Sequence, residues 1–290
     1  MANRRATSKS AGKTRVLLVC DGSLCPVTRF FQTTLSAKQD TYSLTLFNLE
    51  DEDSSLSTAD GTEGYDGFDL ILQTAMPHSA EDLVNALEDA GILDQISKQS
   101  SSLEPNPLVL LPGFYQLLGE GAAEFPFPVN LLGYSPLNLL QPERHRVELT
   151  YPIDCLDEAK ELAGSFFESL GCSVTCYPES PGMVLPRVLA CLANEAVSAL
   201  VEGVASASDI DTAMTLGTNY PMGPLRWADK IGLDVILATL THLHQVLGDD
   251  RYRPLPLLRQ KVWANQLGEK TGQGFYHYPD TAFTTKPLLL

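Results

Sequence analysis

The stretch from Pro181 to Asp234 constrains this chain more than any other. It opens with Pro181-Gly182 and continues apolar at Leu185, Val188, Leu189, Leu192, Ala196 and Leu200, intervals of three and four that line one helical face. That helix is expected to end near Gly203, where a left-handed residue can close the last carbonyls. Ser206 or Ser208 then caps a second, short helix, with Asp209 and Asp211 in its electropositive first turn and Gly217 at its end. Asn219-Tyr220-Pro221-Met222-Gly223-Pro224 reads as a stiffened turn, and Leu225 to Ile231 restart the helix. Such a pattern demands a helical unit in the C-terminal part of the chain.

The same residues carry a resemblance. Pro181-Gly182, Asn194-Glu195-Ala196, Asp209-Ile210-Asp211, Asn219-Tyr220-Pro221 and Gly223-Pro224 together resemble the C-terminal helical domain of the 3-hydroxyacyl-CoA dehydrogenase family. The closing run Lys270-Thr271-Gly272-Gln273-Gly274-Phe275-Tyr276 is similar to the family's K-T-G-x-G-F-Y. Arg251-Tyr252-Arg253-Pro254 and Leu257-Leu258-Arg259-Gln260 are closer to the second copy of this module in some longer members, a copy thought not to be catalytic. The resemblance implies a Rossmann-like first domain, an NAD cofactor, and a helical domain that forms the dimer interface and one wall of the substrate cleft.

The N-terminal residues agree with that order. Arg15 to Cys20 is a buried strand, followed by a helix to about Leu35 and a second strand over Tyr42 to Leu46. Further strands are expected at Phe68 to Thr74, Leu108 to Leu111, Val129 to Gly133, Arg146 to Thr150 and Val174 to Tyr177. Helices are expected over Ala80 to Ala90 and Leu156 to Leu170, the latter with Leu162, Phe166 and Leu170 inward. This alternation argues for a parallel sheet with right-handed crossovers. The predicted architecture is an α/β Rossmann-like domain over 15–178 and an all-α domain over 179–290, behind a disordered tail at 1–14.

The formal net charge is −16, yet residues 181–290 carry 9 basic and 10 acidic side chains, so −15 belongs to residues 1–180. An acidic surface of that kind repels nucleic-acid backbones. No apolar run approaches the length of a membrane span. The basic, Ser-rich N-terminus lacks the apolar segment of a secretory signal. Six cysteines without paired zinc spacing read as buried thiols, which with the missing signal suggests a cytoplasmic protein. His242 and His244, two apart on a helix, do not suit a shared metal.

The site residues implied by the resemblance are incompletely present. A dinucleotide turn needs three glycines after the first strand, but Cys20 to Cys25 retains only Gly22. Asn48 stands where an acidic residue would grip the adenine ribose. The family's histidine base belongs where Gly133-Tyr134-Ser135-Pro136 stands, its serine where Pro112-Gly113-Phe114-Tyr115 stands, and its asparagine where Pro186 stands. Glu148 alone matches, as the glutamate that orients the base; His145, three residues earlier, reads as an exposed loop residue. Pro186, Asn219, Tyr220 and Pro221 fall where the family places its substrate cleft.

Read this way, the chain is expected to be a catalytically degenerate family member, with no cofactor and a vestigial Glu148. It would act through homodimerisation of the helical domain or association with an active dehydrogenase. The alternative is a working NAD-dependent oxidoreductase on a 3-hydroxyacyl-CoA or related hydroxy acid, with other residues moving the proton. Homodimerisation is expected because Cys191, Val197, Val201, Ile236, Leu237, Leu240, Leu243 and Leu247 exceed what a small domain can hide, making Leu240 a candidate contact.

Overall fold

The structure is a computed structural model that describes residues 13–20, 26–48, 57–58, 68–74, 76, 78–93, 96, 106–137 and 145–279. Strands β1 (Thr14–Cys20), β2 (Tyr42–Asn48), β3 (Ser57–Thr58), β4 (Leu70–Gln73), β5 (Leu108–Pro112), β6 (Asn130–Ser135), β7 (Arg146–Tyr151) and β8 (Ser173–Pro178) form one sheet. Their order is β3-β2-β1-β4-β5-β6-β7-β8. β1, β2, β4, β5 and β6 run parallel, as expected for strands buried on both faces. The fully parallel sheet read from sequence is corrected at both ends, because β3 runs antiparallel to β2 and β7 antiparallel to β6. Between Ser135 and Arg146 there are too few residues for a crossover helix, so the chain turns back.

Alternation along the strands sorts two apolar layers. Val16, Leu18, Leu72, Leu110, Leu132, Val147 and Leu149 face α1 (Pro26–Ser36) and, further along, the helix after β7. Leu17, Val19, Ile71, Val109, Leu111 and Leu131 face α2 (Ala80–Asp89) and α3 (Leu118–Ala123). α2 is set by a capping box: the Ser79 hydroxyl accepts from Asp82 N, and the Asp82 carboxylate accepts from Ser79 N at 2.7 Å. In α4 (Asp157–Ser169) the buried stripe is Ala159, Ala163, Phe166 and Phe167. Leu162, expected inward, lies at the rim of that stripe and is half exposed.

The sheet closes at Pro178 and the helical unit follows: α5 (Leu185–Val201), α6 (Ala207–Thr218), α7 (Pro224–Ile231), α8 (Leu233–Leu247) and α9 (Pro256–Trp263). Gly203, at φ 70°, closes α5 as expected, and Ser206 caps α6. Asn219 rather than Gly217 ends α6, in the left-handed region at φ 56°. Asp211 then reaches across from α6 and accepts from Leu225 N and Arg226 N at 2.8 and 3.0 Å, so it caps α7 from a neighbouring helix. A side chain at Gly223 would occupy the space of that carboxylate.

The closing signature is a lock built on Asp229. Its carboxylate accepts from Phe275 N and Tyr276 N, each at 2.9 Å, and from the Tyr278 hydroxyl at 3.1 Å. A Cβ on Gly268 or Gly274 would collide with Asp229. Lys270 pairs with Asp234 at the start of α8 at 2.5 Å. Val197, Ile236, Leu237, Leu240 and Leu243 are all buried within the chain, so the apolar excess expected of these helices is absorbed internally. Leu240 is not a surface residue. Val201, Val204, Leu216, Leu247 and Trp263 remain exposed. Among the described residues no helix is long and apolar enough to cross a membrane.

Candidate active site

In an open parallel sheet, ligands bind beyond the carboxyl ends of the strands. That edge of this molecule carries the least satisfied polar groups of the sheet. Gln73 ends β4 fully buried; its Nε2 donates to His78 O at 3.1 Å, while its Oε1 has no partner among the described residues. Gln116, just after β5, accepts from Ala80 N at 2.8 Å and leaves Nε2 unpartnered. Ser135 ends β6 with its hydroxyl buried and unpartnered among the described residues. Unpaired buried groups cost about 1–3 kcal/mol each and call for a ligand or water. Tyr115 and Tyr134 support this edge, their hydroxyls donating to His78 O and Gln73 O.

Glu148 stands beside Ser135 in register, on the antiparallel strand β7. Its side chain points to the face opposite Val147 and Leu149. There Oε2 accepts from the Tyr177 hydroxyl at 2.6 Å, and the carboxylate accepts from Val184 N and Leu185 N at 3.2 Å each. Glu148 therefore holds the entrance of α5 against the sheet. Burial first, then the hydrogen bond and charge of Glu148, raise the Tyr177 phenol above its ordinary range. That entrance is tightly built: Gly182 lies at φ 77°, where a Cβ would come within 2.7 Å of Leu243. Pro186 follows in the first helical turn, buried, where a missing N–H is harmless.

The other sequence-predicted residues fall as follows. His145 is exposed and its ring meets Phe30 of α1 edge-on at 5.1 Å. Phe30 packs on the face opposite Glu148, so His145 does not serve that carboxylate. Gly22 lies outside the described residues. Asn48 is in register with Cys20, at the ends of β2 and β1, next to the point between β1 and β4 where the strand order reverses. Asn219 acts as a helix cap, Tyr220 packs against the Trp227 ring at 5.7 Å, and Pro221 borders a cavity of about 400 Å³ with Asp211, Arg226 and Tyr276. Cys172 is buried as expected, with burial pushing its thiol up to about 11, but Cys176 on the edge strand is exposed. Tyr177 was invisible in the sequence, because only the register of β7 and β8 brings its hydroxyl to Glu148.

Residues 182–278 match the model of the 3-hydroxyacyl-CoA dehydrogenase C-terminal domain. A 3-hydroxybutyryl-CoA dehydrogenase of Clostridioides difficile is 37% identical over 229 residues, covering 78% of this chain and 76% of that protein. The chain belongs to the 3-hydroxyacyl-CoA dehydrogenase family. A probable 3-hydroxybutyryl-CoA dehydrogenase of Deinococcus radiodurans is 44% identical over 151 residues, a match spanning 52% of this chain and 54% of that relative. The crystal structure of the (S)-3-hydroxybutyryl-CoA dehydrogenase from Ralstonia eutropha superposes with a TM-score of 0.66 over 93% of this chain and 100% of that one, at 24% identity, which shows the shared fold. The expectation of a catalytically degenerate chain is corrected by these relatives, which at 34–44% identity bear the name of 3-hydroxybutyryl-CoA dehydrogenase or probable 3-hydroxybutyryl-CoA dehydrogenase. The expected absence of a cofactor loses its basis with it.

Proposed function

We propose that this chain is an NAD-dependent oxidoreductase acting on a 3-hydroxyacyl-CoA or related 3-hydroxy acid. Its similarity along three quarters of a 3-hydroxybutyryl-CoA dehydrogenase carries the reading. The orphaned polar atoms of Gln73, Gln116 and Ser135 at the strand ends support it from the structure. They fit a polar ligand lying across β4, β5 and β6, on the side of the crevice where a nicotinamide would reach. Bound there, the cofactor supplies a hydride acceptor. The chain's own residues must orient the substrate, exclude water and accept the hydroxyl proton. The ends of β1 and β2 and the N-terminus of α1 would hold the nucleotide end.

The test is oxidation of NADH by the purified chain on addition of acetoacetyl-CoA. Substrate-dependent turnover is expected, and its absence from a folded chain that also fails to bind NADH overturns the reading. Homodimerisation through the helical unit is part of the same proposal, resting now on the apolar side chains that stay exposed there, Val201, Val204, Leu216, Leu247 and Trp263. Sedimentation is expected to give twice 31.6 kDa, and a monomer at micromolar concentration contradicts it.

A further inference from the structure

A dehydrogenase of this kind must take a proton from the substrate hydroxyl as hydride leaves the carbon. No histidine stands at Gly133 to Pro136, His145 faces the other side of the sheet, and Pro186 has no amide side chain. Glu148 is close to the strand ends, but its oxygens are engaged by Tyr177, Val184 N and Leu185 N. Of these three donors, two are backbone amides. Only the Tyr177 hydroxyl, at 2.6 Å, can pass a proton to the carboxylate. The phenolic oxygen accepts from Val184 N at 3.2 Å and donates its hydrogen to Glu148. A hydroxyl oxygen has two acceptor positions, so one remains for an incoming O–H.

Resting on the dehydrogenase reading above, we propose that Tyr177 and Glu148 form a two-proton relay that takes the place of a histidine base. In the oxidative direction the substrate O–H bond breaks and its proton forms a new O–H bond on Tyr177. The former phenolic proton moves in the same step to Oε2 of Glu148, so the tyrosine is neutral before and after. The nicotinamide, when bound, would supply the hydride acceptor that balances this oxidation, and Glu148 later returns the proton to water. The groups that face the phenol are Glu148 from β7, Cys176 from its own strand and the Val184 N–H from the α5 entrance. Burial and the carboxylate together keep the phenol protonated at neutral pH. A relay needs that state, whereas a tyrosinate beside Glu148 would put two anions in contact.

The experiment compares the full chain with Tyr177→Phe and Glu148→Gln in the oxidation of 3-hydroxybutyryl-CoA by NAD. Phe keeps the ring and removes only the hydroxyl. The expected result is a fall in kcat of about 10²–10³ with KM held within about threefold, and a double variant no slower than the slower single one. A merely structural clasp would lower the unfolding midpoint and leave kcat of the folded fraction unchanged. Without cofactor, calorimetry of Tyr177→Phe with 3-hydroxybutyryl-CoA should show affinity weakened by roughly two- to threefold for the lost hydrogen bond, in line with the small change in KM. Should Tyr177→Phe fail to fold, the wild-type proton inventory in mixed light and heavy water decides. A bowed inventory is expected for two protons in flight, and a linear one overturns the relay. Wild-type turnover with an equally fast Tyr177→Phe sinks the relay alone. A wild-type chain with no turnover sinks the dehydrogenase reading, and the relay with it.

Discussion

The sheet and the helical unit treat their buried polar groups in opposite ways. In the helical unit Asp211 holds two backbone N–H groups and the Tyr276 hydroxyl, and Asp229 holds two N–H groups and the Tyr278 hydroxyl. Both carboxylates are saturated, and they fix how the helices and the closing turn sit. Along the carboxyl ends of β4, β5 and β6, Gln73, Gln116 and Ser135 each keep an open position. The unit's own unpartnered atoms, on Asp234, Thr241 and His242, all belong to α8 and not to strand ends. A saturated buried carboxylate is framework, while an open group at a strand end marks a place for a ligand.

The sharpest way to break this contrast is at Asp229. Asp229→Ala strands three buried donors, and the expected loss is about 3–5 kcal/mol. Gly274→Ala drives a methyl into the same carboxylate and should cost about 2–3 kcal/mol. Both tryptophans, Trp227 and Trp263, lie in the helical unit, so urea unfolding followed by their fluorescence reports it directly. A loss below about 1 kcal/mol for Asp229→Ala would remove the framework role.

Acid supplies a second test of the helical unit. Burial lowers the His242 pKa from 6.5 to about 4. The folded chain holds this imidazole neutral while the unfolded chain protonates it. Its stability is therefore full above pH 6.5 and declines as pH falls toward about 4, by on the order of 3 kcal/mol. His242→Gln should flatten that decline, and an unchanged acid limb would show that His242 is not its source.

The smallest effect is expected at the strand ends. Ser135→Ala removes a buried hydroxyl that bonds to nothing described, so stability should stay level or rise by up to about 1 kcal/mol. Affinity for NADH or acyl-CoA should fall in the same variant. A large loss of stability would mean that Ser135 belongs to the framework after all.

Much of this was legible in the sequence, for local reasons. The helix from Leu185, the cap at Ser206 and the turn at Gly203 are decided within a few residues, and the structure keeps them. The buried face of α5, however, is turned onto Pro186, Leu189, Ala190, Ala193, Ala196 and Val197 and leaves Val188 of the expected stripe exposed. What needed the fold was set by partners distant along the chain. Asp211 reads as a first-turn acid of α6, yet it caps α7, fourteen and fifteen residues on. Leu240 reads as surplus apolar surface, but it is fully buried within the chain's own core. Glu148 reads as a lone survivor because its partner Tyr177 lies 29 residues away and meets it only through the β7–β8 register. Degeneracy was inferred from missing motif residues, and a proton path assembled from other side chains leaves no motif to find.

The most direct measurement is the steady-state reduction of acetoacetyl-CoA by the wild-type chain, followed as loss of NADH absorbance. A dehydrogenase should consume NADH only when the acyl-CoA is present, with saturation in both. A folded chain that binds neither and leaves NADH untouched would contradict the reading of its strand-end site.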